Sequence, residues 1–263
     1  MKRITIALLM ASSMLGAQSA YATPIGLNII ANGDAEADIG SATGADIGTV
    51  SGFVKTGQFT VVTYEAGGGF PNTSSPGPAL RGKNFFAGGP SASESTGTQL
   101  ISISDLMSSV DAGLITFDLS AYLGGFSSQR DNAILTLNFL DVASGILSAA
   151  SLGPVSPIDR ADVTGMLFRE TMGAVPIGTR SLQVQLKLTR VDGIFDDGYA
   201  DNLSLSLATS AVGVPEPGTV SISLLGLLLV RVARQRLGQR VAFEVLRPAS
   251  SKKLLTNKSG RST

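Results

Sequence analysis

The stretch Leu182-Gln183-Val184-Gln185-Leu186-Lys187-Leu188-Thr189 alternates apolar and polar residues without a break. Successive side chains of a β-strand point to opposite faces of a sheet, so this pattern is typical of a strand with one buried and one solvated face. A second alternation, Leu203-Ser204-Leu205-Ser206-Leu207-Ala208, follows nearer the C-terminus. Together the two stretches predict a sheet protein whose strands each contribute one face to an apolar core.

The region from residue 27 to residue 208 carries the same two-residue period elsewhere. Further predicted strands lie at 59–64, 99–103, 114–119, 133–140, 146–152 and 164–171. Clusters of Gly and Pro separate them, and no long segment has helical spacing. Eight or nine short strands of this kind predict an all-β fold over 27–208: an antiparallel two-sheet β-sandwich of jelly-roll type.

The composition excludes several kinds of enzyme. The 263 residues include no Cys and no His, which removes Cys nucleophiles, His general bases and Cys/His zinc sites. There is no G-x-S-x-G motif, phosphate-binding loop or dinucleotide fingerprint. Asp196 and Asp197 are adjacent and would point to opposite faces of a strand, so they make a poor acid–base pair. The sequence therefore predicts a non-catalytic protein.

Charge is divided unevenly along the chain. Residues 24–212 contain 18 Asp and Glu against 9 Lys and Arg, whereas residues 213–263 contain 2 acidic and 9 basic residues. Nucleic-acid binding needs clustered Lys and Arg to neutralise phosphates, so the acidic region is a poor nucleic-acid binder. We expect the acidic region to bind cations or neutral ligands instead.

The first 22 residues have the form of an export signal peptide. Lys2 and Arg3 supply positive charge, residues 4–10 are mostly apolar, and Ala20-Tyr21-Ala22 offers small residues for cleavage. The alternative is a buried N-terminal helix. An export signal predicts that the protein works outside the cytoplasm.

A second candidate targeting signal lies at 214–236. The triplet Pro215-Glu216-Pro217 is followed by twelve uncharged residues, 219–230, and then by basic residues. As a helix the uncharged run is about 18 Å long, short of the roughly 30 Å of a bilayer core. The pattern predicts a short, marginal transmembrane helix with a positive stop formed by Arg231, Arg234 and Arg236.

The combination of the triplet, the apolar run and the arginines resembles the PEP-CTERM sorting signal of Gram-negative bacteria. The resemblance implies an exosortase as a partner. It also implies a precursor held transiently in the inner membrane and a final place at the cell surface or in the extracellular matrix. The chain departs from the family in its short apolar run and in the segment that follows, 237–263. That tail is basic, with Lys252, Lys253 and Lys258, and is predicted to be a disordered extension.

Oxygen-bearing side chains at two places predict a calcium site. Asn32, Asp34 and Glu36 lie in a turn after an apolar segment, and Asp201 lies just before the last alternating stretch. Calcium takes six to eight oxygens from carboxylates, amides and carbonyls. The first and last strands of many jelly-roll sugar-binding modules pair, which would bring Glu36 and Asp201 to one ion. Alternatively, these residues only form turns, for which Asp, Asn and Gly are well suited.

Four loose motifs resemble galactose-binding-like jelly rolls, as found in carbohydrate-binding modules: residues 32–36, 81–89, 121–126 and 196–202. The resemblance implies the jelly-roll fold and an exported kind of domain. Sugar rings pack on aromatic faces while polar groups bind their hydroxyls. With no Trp in the chain, Tyr122, Phe126 and Asp131 are the predicted ligand-binding patch; the alternative is that the two rings only pack within the fold.

These observations predict an exported, non-catalytic β-sandwich protein that interacts with an extracellular polysaccharide. Two alternatives stay open. One is a structural or adhesive matrix component without a small ligand. The other is an enzyme acting on polysaccharides, since glycoside hydrolysis needs only two suitably spaced carboxylates.

Overall fold

The computed structural model of the protein describes residues 22–210, which form two five-stranded sheets packed face to face. The predicted sorting signal 214–236, the tail 237–263 and all but the last residue of the predicted signal peptide lie outside the described residues. Within 22–210, no helix is both long enough and apolar enough to cross a membrane.

All strand pairs are antiparallel, so the predicted two-sheet β-sandwich is confirmed. The first sheet has the strand order β1-β4-β9-β6-β7 and the second β2-β3-β10-β5-β8. The strands are β1 (Val54–Thr56), β2 (Thr60–Thr63), β3 (Asn84–Gly89), β4 (Glu94–Ser102), β5 (Ile115–Gly125), β6 (Asn132–Leu140), β7 (Ile146–Leu152), β8 (Gly165–Ala174), β9 (Ser181–Thr189) and β10 (Asp196–Thr209). A 3-10 turn (Ser104–Leu106) and the short helix α1 (Met107–Asp111) connect β4 to β5.

The core lies between the sheets and is built from the alternating residues. In β9, the apolar residues of the opening stretch are fully buried, while Gln183 and Lys187 between them are partly exposed. In β10, Leu203, Leu205 and Leu207 face the same core. Each buried Leu or Val contributes about 1.5–3 kcal/mol relative to an exposed one, so the alternation supplies the main driving force for sheet packing.

Two strands were absent from the sequence-based expectation. β1 has only three residues and one half-buried side chain. In β3 all six residues are buried; Phe86 belongs to the core, whereas Phe85 belongs to a second apolar cluster. A strand covered on both sides shows no alternation, so its sequence gives no periodic signal.

The segment 26–33 runs beside β10 without forming a regular strand. Ile29 N–H donates to the Leu205 carbonyl at 2.9 Å, and Leu203 N–H donates to the Gly33 carbonyl at 2.8 Å. The Asn28 side chain interrupts the ladder, because its Oδ1 accepts from the backbone N–H of Leu205 at 3.0 Å. The apolar segment before residue 32 is therefore irregular, although it lies next to the last strand.

Candidate functional site

The outer face of the second sheet is open across β10, β5 and β8. The strand register places Asp201, Tyr122 and Phe168 in one row. The next rows are Ser204–Ser120–Glu170, Ser206–Asp118–Met172 and Ala208–Thr116–Ala174. We call the exposed and half-exposed members of these rows the outer strip: Thr116, Asp118, Ser120, Tyr122, Phe168, Glu170, Met172, Ala174, Ser204, Ser206 and Ala208.

An aromatic pair occupies one end of the outer strip. The rings of Tyr122 and Phe168 have centroids 5.4 Å apart, at an interplanar angle of 56°. Phe168 is 47 % exposed, and Tyr122 is half-buried because it also packs against the second apolar cluster. A large, partly exposed apolar surface held by neighbouring side chains is what the apolar face of a sugar ring requires.

The other end of the outer strip is a groove of about 500 Å³. From Tyr122 to Thr116 the strip extends along seven residues of β5, about 20 Å for six steps of 3.4 Å. The polar groups of the whole outer strip are hydroxyls and the carboxylates of Asp118 and Glu170, and the strip contains no Lys or Arg. Such groups accept hydrogen bonds from a polyhydroxyl chain. The groove is lined by Thr116, Phe117, Asp118, Met172, Gly173, Ala174, Ser206 and Ala208.

The loop of residues 64–83 closes the strip beyond the aromatic pair. Its Pro76 carbonyl accepts from Met166 N–H at 2.9 Å, and its Leu80 carbonyl accepts from the Asn202 amide at 3.0 Å. Arg81 holds the loop internally, since its guanidinium donates to three loop carbonyls and lies 5.2 Å from the Tyr64 ring centroid. The loop is therefore fixed to both β8 and β10.

Beneath this loop lies a second cavity, of about 290 Å³, in which Phe126 is found. A methyl group on Gly69 would lie 2.7 Å from the Phe126 ring, so the loop contacts that ring closely. Asp197 supplies the carboxylate of this cavity, and burial, reinforced by the charge of Asp131, raises its pKa to about 6. We call this the aromatic cavity; its lining residues are Thr43, Gly68, Gly69, Phe70, Phe126, Phe195, Asp197 and Tyr199.

Asp131 does not form a patch with Tyr122 and Phe126. Its side chain is fully buried. One oxygen accepts from Val191 N–H and Asp192 N–H at 2.6 and 2.7 Å, and the other accepts from Asp197 N–H at 3.0 Å. With both oxygens occupied by backbone donors, Asp131 holds the 191–197 segment together. The predicted three-residue patch is therefore divided between the outer strip, the aromatic cavity and the interior.

The structure does bring part of the predicted calcium set together. Asp201 is fully buried and accepts a hydrogen bond of 2.7 Å from the Tyr64 hydroxyl. Its burial, together with the negative charges of Glu36 and Asp34, raises its pKa to about 7. Asn32 differs, because its side chain binds the turn itself: its Oδ1 accepts from Ala37 N–H at 2.8 Å.

Glu36 links the 32–36 turn to β3. Its Oε1 accepts from Lys83 N–H at 2.7 Å and from Asn84 N–H at 2.8 Å. None of the ion pairs formed within 22–210 involves Asp34, Glu36 or Asp201. Within residues 22–210, no three Asp or Glu side chains are arranged so that they could hold a metal ion together. A cation here would need amide and carbonyl oxygens beside the carboxylates.

Sequence reasoning identified only Tyr122 among the eleven residues of the outer strip. Phe168, Glu170 and Met172 recur at every second position of β8, and the polar residues Arg169 and Thr171 between them obscured which face is buried. An aromatic residue and a Met on the outward face of an edge strand were the available signal. Recognising it requires the register with β5, which the sequence does not supply.

No protein-family model matches the sequence, and no curated protein matches it. Among solved structures, it is similar to the tailspike protein 4 enzymatic domain of bacteriophage CBA120, with 16 % identity and a TM-score of 0.41 over 69 % of this chain and 21 % of that one. It is similar to a Stig cyclase from Fischerella sp. TAU, with 14 % identity and a TM-score of 0.45 over 71 % of this chain and 100 % of that one.

A further similar structure is the CBM22-1 xylan-binding domain from Paenibacillus barcinonensis, with 14 % identity and a TM-score of 0.35 over 63 % of this chain and 92 % of that one. All three TM-scores are below 0.5, so the proposals for this chain rest on its own residues.

Proposed function

We propose that this is an exported, non-catalytic protein whose outer strip binds a neutral polysaccharide chain. The observation that carries the proposal is the aromatic pair Tyr122–Phe168, which stands half-exposed at the end of an open row of hydroxyls and carboxylates. The rings offer an apolar face to a sugar, and Glu170 and Asp118 accept hydrogen bonds from its hydroxyls. An extended ligand is favoured, because the strip is long and open at its far end.

Two alternative functions are outcomes of the same test. A structural or adhesive matrix component would retain no glycan. An enzyme would release products, although the acidic residues of the strip, Asp118 and Glu170, are exposed side chains on an open face.

Export and sorting belong to this proposal as well. The charged start and small-residue cleavage site at 1–22 support export, and Pro215-Glu216-Pro217, the apolar run and the arginines support sorting by an exosortase. The precursor would be held in the inner membrane and then passed to the cell surface or the matrix. Cell fractionation tests this step: intact, uncleaved protein in the cytoplasmic fraction contradicts it.

Calcium is the proposed structural ion. Glu36 and Asp201 would hold it, with carbonyl or amide oxygens of the same segments completing its coordination. When bound, the ion supplies positive charge between the acidic residues of the turn and of β10. The support for this proposal is the negative charge of Glu36 and Asp34 near the buried Asp201.

A glycan array followed by affinity electrophoresis tests the binding proposal. We expect retention by at least one polysaccharide, and a loss of at least tenfold in affinity for Phe168→Ala, since the exposed ring is removed without touching the core. Leu100→Ala is the matched control, because Leu100 is 68 % exposed on the other sheet. Absence of retention with and without calcium contradicts the proposal and favours a scaffold, while product release favours an enzyme.

A further inference from the structure

The aromatic cavity is built by three separate parts of the chain. Gly68 and Gly69 with Phe70 come from the 64–83 loop, Phe126 directly follows β5, and Phe195 to Tyr199 begin β10. The outer strip does not share any of its lining residues. It is therefore a second site, and its use does not depend on the carbohydrate proposal.

Three of its rings pack against one another and fix the shape of the wall. Phe70 lies 5.2 Å from Phe195 in an edge-to-face arrangement and 6.0 Å from Tyr199. Tyr199 is fully buried and lies 5.4 Å from Phe85 beneath it. Together with Phe126, these rings give the cavity aromatic walls, and the π-systems of such rings carry negative electrostatic potential on their faces.

Asp197 is the one acidic group of the cavity lining. Its Oδ1 accepts from the Tyr199 hydroxyl at 2.5 Å, and its backbone N–H is held by Asp131. Among the hydrogen bonds formed within residues 22–210, none ends on Asp197 Oδ2. One carboxylate oxygen is therefore held in position with a second oxygen available to a ligand.

No Lys or Arg is among the described residues that line the aromatic cavity. The nearby Arg160 is 5 % exposed, and its guanidinium donates to the carbonyls of Ser127, Val163 and Gln129. Those bonds direct it to the loop after β5 instead of to Asp197. The cavity thus combines aromatic rings and a carboxylate, and its lining includes neither Lys nor Arg.

We propose that the aromatic cavity binds a small organic cation, a primary or substituted ammonium, with Asp197 as its counter-charge and Phe70, Phe126, Phe195 and Tyr199 around its apolar body. Ammonium groups are attracted to ring faces, and the attraction grows when water is excluded. A neutral sugar is a poorer fit, because only Thr43, Asp197 and the Tyr199 hydroxyl offer polar side-chain atoms for its many hydroxyls. The raised pKa of Asp197 agrees, because burial and the negative charge of Asp131 disfavour its anion, a cost that a bound cation would offset.

Calorimetric titration of the full chain at pH 7.5 with phenethylamine and with 2-phenylethanol tests the proposal. The two probes have nearly the same shape, and only the amine is charged. We expect the amine to bind at least tenfold more tightly than the alcohol. Equal affinity, or no binding of either probe, overturns the proposal.

Two variants locate the effect. Asp197→Asn keeps an acceptor for the Tyr199 hydroxyl and removes the charge, so amine affinity is expected to fall at least tenfold with alcohol affinity unchanged. Glu94→Gln removes one charge from the exposed start of β4, on the other sheet, and is expected to change neither. Unaltered amine binding in Asp197→Asn overturns the proposal. Should that variant not fold, the comparison of the two probes on the unaltered chain decides, and polysaccharide retention is scored separately in every case.

Discussion

Asp196 is a buried carboxylate whose environment favours its neutral form. One oxygen accepts from Gly198 N–H at 3.2 Å, and the other, Oδ2, has no hydrogen-bond partner. Burial raises the pKa of Asp196 to about 7, with contributions from Asp131 and Asp197 that the positive charge of Arg190 partly offsets. Ionising this group therefore costs the folded state more than it costs the unfolded chain.

This cost predicts a pH dependence of stability. The folded-state pKa lies above the ordinary value of 3.8, so the folded protein binds the proton more tightly than the unfolded chain does. The contribution of Asp196 to stability is complete below pH 4 and is lost as the pH rises to about 7, a change of about 2–4 kcal/mol. Urea unfolding between pH 4 and pH 8 measures it.

The variant Asp196→Asn separates this residue from other titrating groups. Its unfolding free energy should vary less with pH than that of the unaltered chain, whereas Asp118→Asn, on the exposed outer strip, should follow the unaltered chain. Parallel curves for all three proteins would show that Asp196 is ionised at no extra cost. This residue gave no signal in the sequence, because its burial depends on the close approach of β3: a methyl group on Gly88 would lie 2.1 Å from the Asp196 carboxyl carbon.

At the scale of single elements, β9 shows why part of the fold was predictable. It lies between β4 and β6, with one face on the core and the other toward solvent, so each residue reports its face by its polarity. β3 is covered on both faces, and the 26–33 segment is interrupted by the Asn28 side chain. Neither arrangement leaves a periodic pattern, and both depend on contacts with distant parts of the chain.

The alternation in β9 predicts a sharp contrast between neighbouring substitutions. Leu186 is fully buried in the core, and Leu186→Ala is expected to lower the free energy of unfolding by about 2–5 kcal/mol through lost burial and a residual cavity. Lys187→Ala, on the solvated face, removes a long ion pair with Glu94 (3.6 Å) and should cost less than about 1 kcal/mol. Chemical denaturation of both variants measures the difference; similar losses would contradict the assigned faces.

At the scale of the whole molecule, the binding surfaces required assembly that the sequence could not reveal. The outer strip arises from the register of three strands, and the aromatic cavity from two loops and a strand start. Tyr122 and Phe126 were predicted to belong to one patch, yet one lies on the strip and the other in the cavity. The proximity of the 32–36 turn to Asp201 was anticipated because the first and last segments of such sandwiches run side by side.

That same proximity predicts stabilisation of the entire sandwich by calcium. The 32–36 turn already contacts β3 through Glu36, and an ion shared with Asp201 would also bind it to β10. A ligand at a hundred times its Kd stabilises the folded state by about 2.7 kcal/mol, which corresponds to a rise in Tm of about 5–10 °C for a domain of this size. Differential scanning calorimetry of chelator-treated protein, before and after addition of calcium, measures the rise.

Glu36→Gln provides the decisive comparison. Its amide oxygen retains an acceptor for Lys83 N–H and Asn84 N–H, so the turn is kept while the charge needed by a hard cation is lost. We expect the Tm of Glu36→Gln to be the same with and without calcium. We expect Asp118→Asn to show the full calcium-dependent rise in Tm, because Asp118 lies on the outer strip and not in the turn. Equal Tm values for the unaltered chain with chelator and with calcium would contradict the proposal that calcium stabilises the fold. Asp34, Glu36 and Asp201 would then remain a cluster of acidic residues whose mutual repulsion, together with burial, raises the pKa of Asp201 to about 7.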